Sequence, residues 1–68
     1  MTRENDGTAI RYYNSIGKRH RTDGPAVTYN NGLREWRLNG HLYVFKDYVD
    51  LVFPHDSDEK IMFIMKWS

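Results

Sequence analysis

The sequence predicts a mainly β (α+β) fold: an antiparallel β-meander of hairpin repeats with one short C-terminal helix and a final strand. Three observations carry this. Asn31-Gly32 and Asn39-Gly40 each separate two short runs, and Asn-Gly is the strongest short-range hairpin signal because a type I′ turn needs positive φ at both central residues. The stretch from His20 to Gly40 holds short alternating runs, AVTYN and LREWRL among them, as half-buried strands do. Finally, Asp6-Gly7-x-Ala9-Ile10-x-Tyr12 returns as Asp23-Gly24-x-Ala26-Val27-x-Tyr29 seventeen residues later, the mark of an internal repeat.

Taken in order, residues 1–6 are polar and are expected to be frayed or loosely attached. Asp6-Gly7 then opens TAIRYY, a β-rich run that ends at the turn Asn14-Ser15-Ile16-Gly17. KRHR (18–21) reads as a short strand or an edge, and Thr22-Asp23-Gly24-Pro25 as a strand-entry corner. Pro25 lacks a backbone donor and biases Gly24 toward extended geometry, while the Asp23 carboxylate can accept nearby amides. If Asn31-Gly32 is a two-residue loop, Val27 faces Trp36, Thr28 faces Glu35 and Tyr29 faces Arg34. That register sets Val27, Tyr29, Trp36 and Leu38 on one face and Thr28, Asn30, Glu35 and Arg37 on the other. Across Asn39-Gly40, Trp36 faces Tyr43, Leu38 faces His41 and Glu35 faces Val44. Val27, Trp36 and Tyr43 then form one row with Trp36 at the centre of the core, and Asp23, Gly24, Gly32, Trp36 and Gly40 are the expected structural residues.

After a fifth strand near His41–Phe45, the stripe Tyr48, Val49 and Leu51–Phe53, stopped by Pro54, predicts a helix over 46–53. HDSDEK is a polar loop. IMFIMKW reads two ways. Alternation sets Ile61, Phe63, Met65 and Trp67 on one side of a strand, whereas Ser57-Asp58-Glu59 would also start a helix. A strand buried on both faces is the expectation, and its apolar character near an edge suits a homodimer interface through residues 61–67.

At 68 residues the chain is expected to be a single domain, 1–68, with a meander over 7–45 and a helix-and-strand cap over 46–68. With no Cys, no disulfide or thiolate metal site can staple so small a core. Ten aromatic residues offer the compensating burial. Charge is unevenly placed: residues 1–46 hold eight Lys/Arg and four Asp/Glu, residues 47–68 two and five. That asymmetry can steer a partner, or bring the two ends of the fold together. No run reaches the roughly 18–20 apolar residues of a membrane span, and no signal peptide precedes the first turn, so a cytoplasmic protein without membrane association is expected.

From Gly17 to about Tyr48 the chain carries Gly17-Lys18-x-His20-Arg21-x-Asp23-Gly24-Pro25-Ala26, then Tyr29, Asn31-Gly32, Trp36 and Asn39-Gly40. At these spacings it resembles the short "DGPA" repeat proteins, loosely grouped with MORN-variant repeats and common in tailed bacteriophages and some bacteria. The resemblance implies tandem β-hairpin units closed by a short helical segment, here Phe45–Phe53. It further implies a small phage accessory protein acting on a host factor in the host cell cytoplasm, and it carries no catalytic residues. The array departs from the pattern at His41-Leu42-Tyr43, and residues 54–68 lie outside it.

The residues themselves bear on several chemistries. Lys18, Arg19 and Arg21, with Arg11, Arg34 and Arg37 and the rings of Tyr12, Tyr13 and Tyr29, form a candidate nucleic-acid face over residues 11–37. A net charge of +1 is small for such a binder, His20 and Arg21 belong to the repeat, and Arg34 can lie over Tyr29 instead. His55, Asp56, Asp58 and Glu59 have neither calcium-loop nor zinc spacing, so no metal is expected. The chain lacks a Cys nucleophile, a phosphate-binding glycine loop and a nucleophile elbow, so no enzyme activity, cofactor or small-molecule substrate is expected either. Protein binding is the leading expectation, with inhibition or redirection of a host protein as its purpose. Tyr13, Arg19, Arg37 and Trp67 are the expected contacts, since aromatics beside Arg make interface hot spots. A structural or self-assembling role is the remaining alternative.

Overall fold

A computed structural model of the protein describes residues 2–67. The elements in chain order are β1 (Thr2–Asn5), β2 (Ala9–Tyr13), β3 (Val27–Tyr29), β4 (Arg34–Leu38), β5 (His41–Tyr43), α1 (Phe45–Val52) and α2 (Asp58–Trp67). The strands make one antiparallel sheet in the order β1-β2-β3-β4-β5, so the meander holds. Among the described residues, no helix is long and apolar enough to cross a membrane.

The sheet begins earlier than expected, at Thr2, inside the segment that the sequence marks as frayed. β1 pairs with β2 from Thr2↔Tyr13 to Asn5↔Ile10. Local acceptors on the turn explain the order. The Asp6 carboxylate takes the N–H groups of Thr8 at 2.9 Å and Ala9 at 3.0 Å, Asn5 takes that of Gly7, and Gly7 has φ +84°. Such side-chain-to-backbone bonds preset a turn that a polar composition alone does not reveal.

KRHR lies in the sheet without forming a full strand. The Tyr12 carbonyl accepts the His20 N–H at 3.0 Å, while the Tyr12 N–H donates to the Ala26 carbonyl at 2.8 Å. Residues 18–20 and 26–29 are therefore two halves of one line of chain, and residues 21–25 leave the sheet as a large bulge. On the other side the Arg19 carbonyl accepts the Gly40 N–H at 2.7 Å, so the first half also touches the end of β4. The Asp6-Gly7 and Asp23-Gly24 copies take different forms. The first is a hairpin turn, while the second sits in the bulge with Gly24 and Pro25 buried. Pro25 has no N–H to orphan there.

The two Asn-Gly turns also differ. Asn39 has φ +52° and Gly40 +85°, and β4 pairs with β5 as Trp36↔Tyr43, Arg37↔Leu42 and Leu38↔His41, the expected register. Across the first turn the pairs are Val27↔Glu35 and Thr28↔Arg34, one residue away from the expected Val27–Trp36 and Tyr29–Arg34. The loop there has three residues. The Gly32 N–H donates to the Tyr29 carbonyl at 2.9 Å, the Tyr29 N–H to the Leu33 carbonyl at 2.8 Å, and Gly32 alone supplies positive φ, +92°. This is the three-residue hairpin with a left-handed glycine rather than a type I′ turn. A slip of one residue exchanges faces. Tyr29, Glu35 and Arg37 share a side with Val27, and Trp36 lies on the other side; the Val27–Trp36–Tyr43 row does not form.

Trp36 does centre the core. It is 7% exposed and its ring lies 4.7 Å from Phe45, 4.9 Å from Tyr48, 6.0 Å from Phe63 and 5.8 Å from Trp67. α1 matches the expected helix to within a residue, with Tyr48 and Val49 buried. The expected final strand over 61–67 is instead α2. Its first turn is capped by the Ser57 hydroxyl, which accepts the Lys60 N–H at 3.1 Å. Asp58 and Glu59 lie at its start and Lys66 at its end, in favourable order for the helix dipole. Phe63 and Trp67, four residues apart, face Trp36 from one side of this helix.

The Tyr48 hydroxyl joins α1 to the bulge. It donates to the carbonyls of Arg21 and Gly24, its single proton shared between two acceptors. Tyr48 is fully buried, and burial pushes its pKa up to about 12. Tyr48→Phe keeps the ring but strands two carbonyls, and is expected to cost about 1–3 kcal/mol in denaturant unfolding. Gly24→Ala puts a Cβ 2.8 Å from the Arg21 guanidinium carbon and 3.0 Å from Trp67 Cζ2, so it also lowers stability. An unchanged urea midpoint in both variants would show that the bulge is not held this way.

Candidate functional site: the helix-free face of the sheet

Strand pairing assigns the side chains to two faces. α1 and α2 cover the Trp36 side. The other side carries Glu4, Arg11, Tyr13, Arg19, Val27, Tyr29, Glu35, Arg37 and Leu42, each placed by a cross-strand pair or by alternation along β2 and β4. Val27 is fully buried in this face even though neither helix lies over it. Long neighbouring side chains do the covering, as Arg stems and Tyr rings can.

Polar bonds hold those side chains in place. Arg11 reaches Asp6 at 2.8 Å and Glu4 at 3.2 Å, and the Tyr13 hydroxyl donates to the same Glu4 oxygen at 3.3 Å. Glu35 receives the Arg37 Nε at 2.6 Å and the Tyr29 hydroxyl at 2.8 Å, while Arg37 Nη1 donates to the Gly40 carbonyl. Burial opposes ionisation of Glu35, yet the Arg37 and Tyr29 bonds prevail and hold its carboxyl below the usual range. The Tyr29 hydroxyl is raised in turn, chiefly because its proton is engaged by Glu35. Arg19 stands near Tyr29 and Glu35 with no ion pair of its own among the described residues. It is the cation on this face with capacity to spare.

Three of the four expected contact residues, Tyr13, Arg19 and Arg37, thus meet on one face. Trp67 does not join them. It packs on the helix side against Trp36 and Phe63, with Arg21, Arg34 and Lys66 at 5.9, 5.4 and 5.3 Å from its ring. Its carbonyl, at the end of α2, accepts from Arg34 at 2.9 Å. Arg34 therefore lies over Trp67, not over Tyr29 as the two-residue loop implied. The alternative set also divides. Arg21 sits 4.2 Å above the Tyr12 ring and pairs with Asp23 at 2.8 Å on the helix side, Lys18 lies along Gly40, and Arg19 is on the open face. Among the described residues, no three His, Asp or Glu side chains converge on a possible metal position.

Sequence reasoning missed the Glu4–Arg11 and Tyr29–Glu35–Arg37 clusters. The first needed β1, and the second needed the correct register; the Arg11-x-Tyr13 spacing was the available signal. Comparison of the chain with protein-family models, with curated proteins and with solved structures finds no match.

Asp6 has a pKa lowered from 3.8 to about 2, first by the Arg11 bond and then by the Thr8 and Ala9 amides. A folded value below the unfolded one means that the carboxylate stabilises the β1–β2 turn fully above pH 3.8, and that this is lost as pH falls toward 2. The protection factors of the Thr8 and Ala9 amides, taken relative to their intrinsic exchange at each pH, are expected to fall across that window while the Trp36 core stays protected. Uniform protection down to pH 2 would contradict the assignment.

Proposed function

We propose that this chain is a small phage accessory protein that binds a host protein, in the host cell cytoplasm, and inhibits or redirects it. The helix-free face of the sheet makes the contact, through Tyr13, Arg19, Tyr29 and Arg37. The observation that carries the reading is Arg19: a guanidinium with no ion pair among the described residues, beside aromatic rings hydrogen-bonded to Glu4 and Glu35. Preorganised aromatics and Arg lose little conformational entropy on binding, and such residues dominate interface energetics. The phage context rests on the DGPA resemblance alone. Trp67 enters as support for the fold beneath the surface, and no catalysis is proposed.

Nucleic acid is disfavoured by the division of Lys18, Arg19 and Arg21 between different sides of the sheet. It is the outcome to exclude by experiment. Tagged protein incubated with bacterial lysate, with and without nuclease, is expected to retain one host protein in stoichiometric amount. Tyr13→Ala and Arg19→Glu are each expected to weaken its binding by about 2 kcal/mol, or about thirtyfold. The reading fails if both variants bind within twofold of the parent. Retention that disappears with nuclease and falls steeply with salt would favour nucleic acid instead.

A further inference from the structure

α2 turns Phe63 and Trp67 inward and sends a second apolar stripe outward. Ile61 is 54% exposed, Met62 69% and Met65 74%, with Ile64 at the flank at 37%. Positions 61, 62 and 65 lie within one sector of a helix, at separations of one, three and four residues. Beside Ile64, between α1 and α2, runs a groove of about 280 Å³ lined by Phe45, Lys46, Val49, Asp50 and Ile64. Contiguous apolar surface of this kind on so small a protein marks an interaction site.

The charges at the ends of the stripe identify its occupant. Asp58 and Glu59 begin α2, and Lys66, exposed with its ammonium over the Trp67 ring, lies in its last turn. Such a helix is complementary to itself in one orientation, antiparallel. A two-fold axis perpendicular to the helix gives that orientation, and the end charges select it over an axis running along the helix, which would set like charges side by side. Halfway between Glu59 and Lys66 lie Met62 and Phe63, so an axis at Met62 sets the acidic end of one helix beside Lys66 of the other. The helix dipoles then oppose as well.

We propose that the protein forms a two-fold homodimer in which the Ile61–Met62–Met65 stripe of α2 packs antiparallel on the same stripe of a second copy. The inward side chains Phe63 and Trp67 stay in their own core. The interface is thus narrower than the whole apolar segment and leaves the helix-free sheet face exposed in both copies.

Sedimentation over a concentration series tests this. The parent is expected to pass from monomer to dimer, and Met65→Lys, at a position 74% exposed, to weaken dimerisation by about tenfold or more with its helical circular dichroism intact. Two charge variants add orientation. Glu59→Lys alone and Lys66→Glu alone each face like charges across the axis and dimerise more weakly, but an equimolar mixture of the two regains association as a heterodimer. Because the chain has no cysteine, Met62→Cys is expected to form a disulfide-linked dimer on mild oxidation, whereas Leu33→Cys, in the loop at the start of β4, is not. A parent that stays monomeric at every concentration overturns the proposal. So does a dimer unaffected by Met65→Lys, or one in which the mixed charge variants associate no better than each alone.

Discussion

One buried hydroxyl closes a gap that the sheet cannot close for itself. Where residues 21–25 leave the line of β3, the Arg21 N–H still reaches the Arg37 carbonyl at 3.4 Å, but the Arg21 and Gly24 carbonyls face Tyr48 rather than a strand, and Gly24 and Pro25 are buried. An unpaired carbonyl in that position costs free energy comparable to a lost hydrogen bond. Tyr48 meets the need from α1, donating to Arg21 and Gly24, while Arg21 reaches Pro25 and Tyr12 binds the Ala26 carbonyl. A phenol held at a pKa of about 12 keeps its proton at any physiological pH, so the tie does not switch. The tie sits where the layers meet: Trp67 lies against Gly24, and Trp36 packs on both Tyr48 and Trp67.

The parts of this architecture that were legible in sequence are those in which local and tertiary preferences agree. At Asn39-Gly40 both residues take positive φ, and the register predicted from that dipeptide is the one found. At Asn31-Gly32 the same dipeptide sits in a longer loop, where the Asn31 side chain accepts the Leu33 N–H at 3.1 Å and leaves Gly32 as the left-handed residue. Asn-Gly is compatible with both turns. The choice rests on contacts beyond the dipeptide, and every face assignment in β3 and β4 depends on it. α2 differs from the expected strand for another reason. Phe63 and Trp67 are four residues apart, a spacing that fits one face of a strand and one face of a helix alike. The Ser57 cap and the ordering of Asp58, Glu59 and Lys66 were the informative signals.

The one-residue slip had a functional consequence. It carried Val27 and Tyr29 away from Trp36 onto the open side with Glu35 and Arg37, and left Arg34, which caps the end of α2, opposite Thr28 on the helix side. The open side thereby gains the Tyr29 ring and its bond to Glu35, while Thr28 and Arg34 lie on the side of the helices. Tyr13, Arg19 and Arg37 could be picked out from composition, because Tyr and Arg in strands are frequent contact residues. Their partners could not, since Glu4 and Glu35 acquire meaning only through cross-strand register. Lys60 shows the same limit within the helical cap. Its bond to Asp50 at 3.0 Å, the first cause of its raised pKa, links α2 to α1 across ten residues of sequence that carry no periodic hint of it.

Both candidate surfaces derive from a single asymmetry. Helices cover one side of the sheet, so the open side must shield Val27 with Arg and Tyr stems, and the helix layer must end in an outer face of its own. The sheet face is polar, hydrogen-bonded and centred on Arg19; the α2 face is apolar and charged at its ends. These chemistries suit different tasks. A preorganised polar face with one spare cation discriminates among partners, whereas an apolar stripe supplies association free energy with little selectivity. Because the two lie on opposite sides of the sheet, pairing through α2 would present two copies of the Arg19 face pointing away from each other. A partner carrying two sites at matching separation would then gain from effective concentration, and a partner with one site would not. The helices that stabilise a small sheet would in that way also set the valency of its binding face.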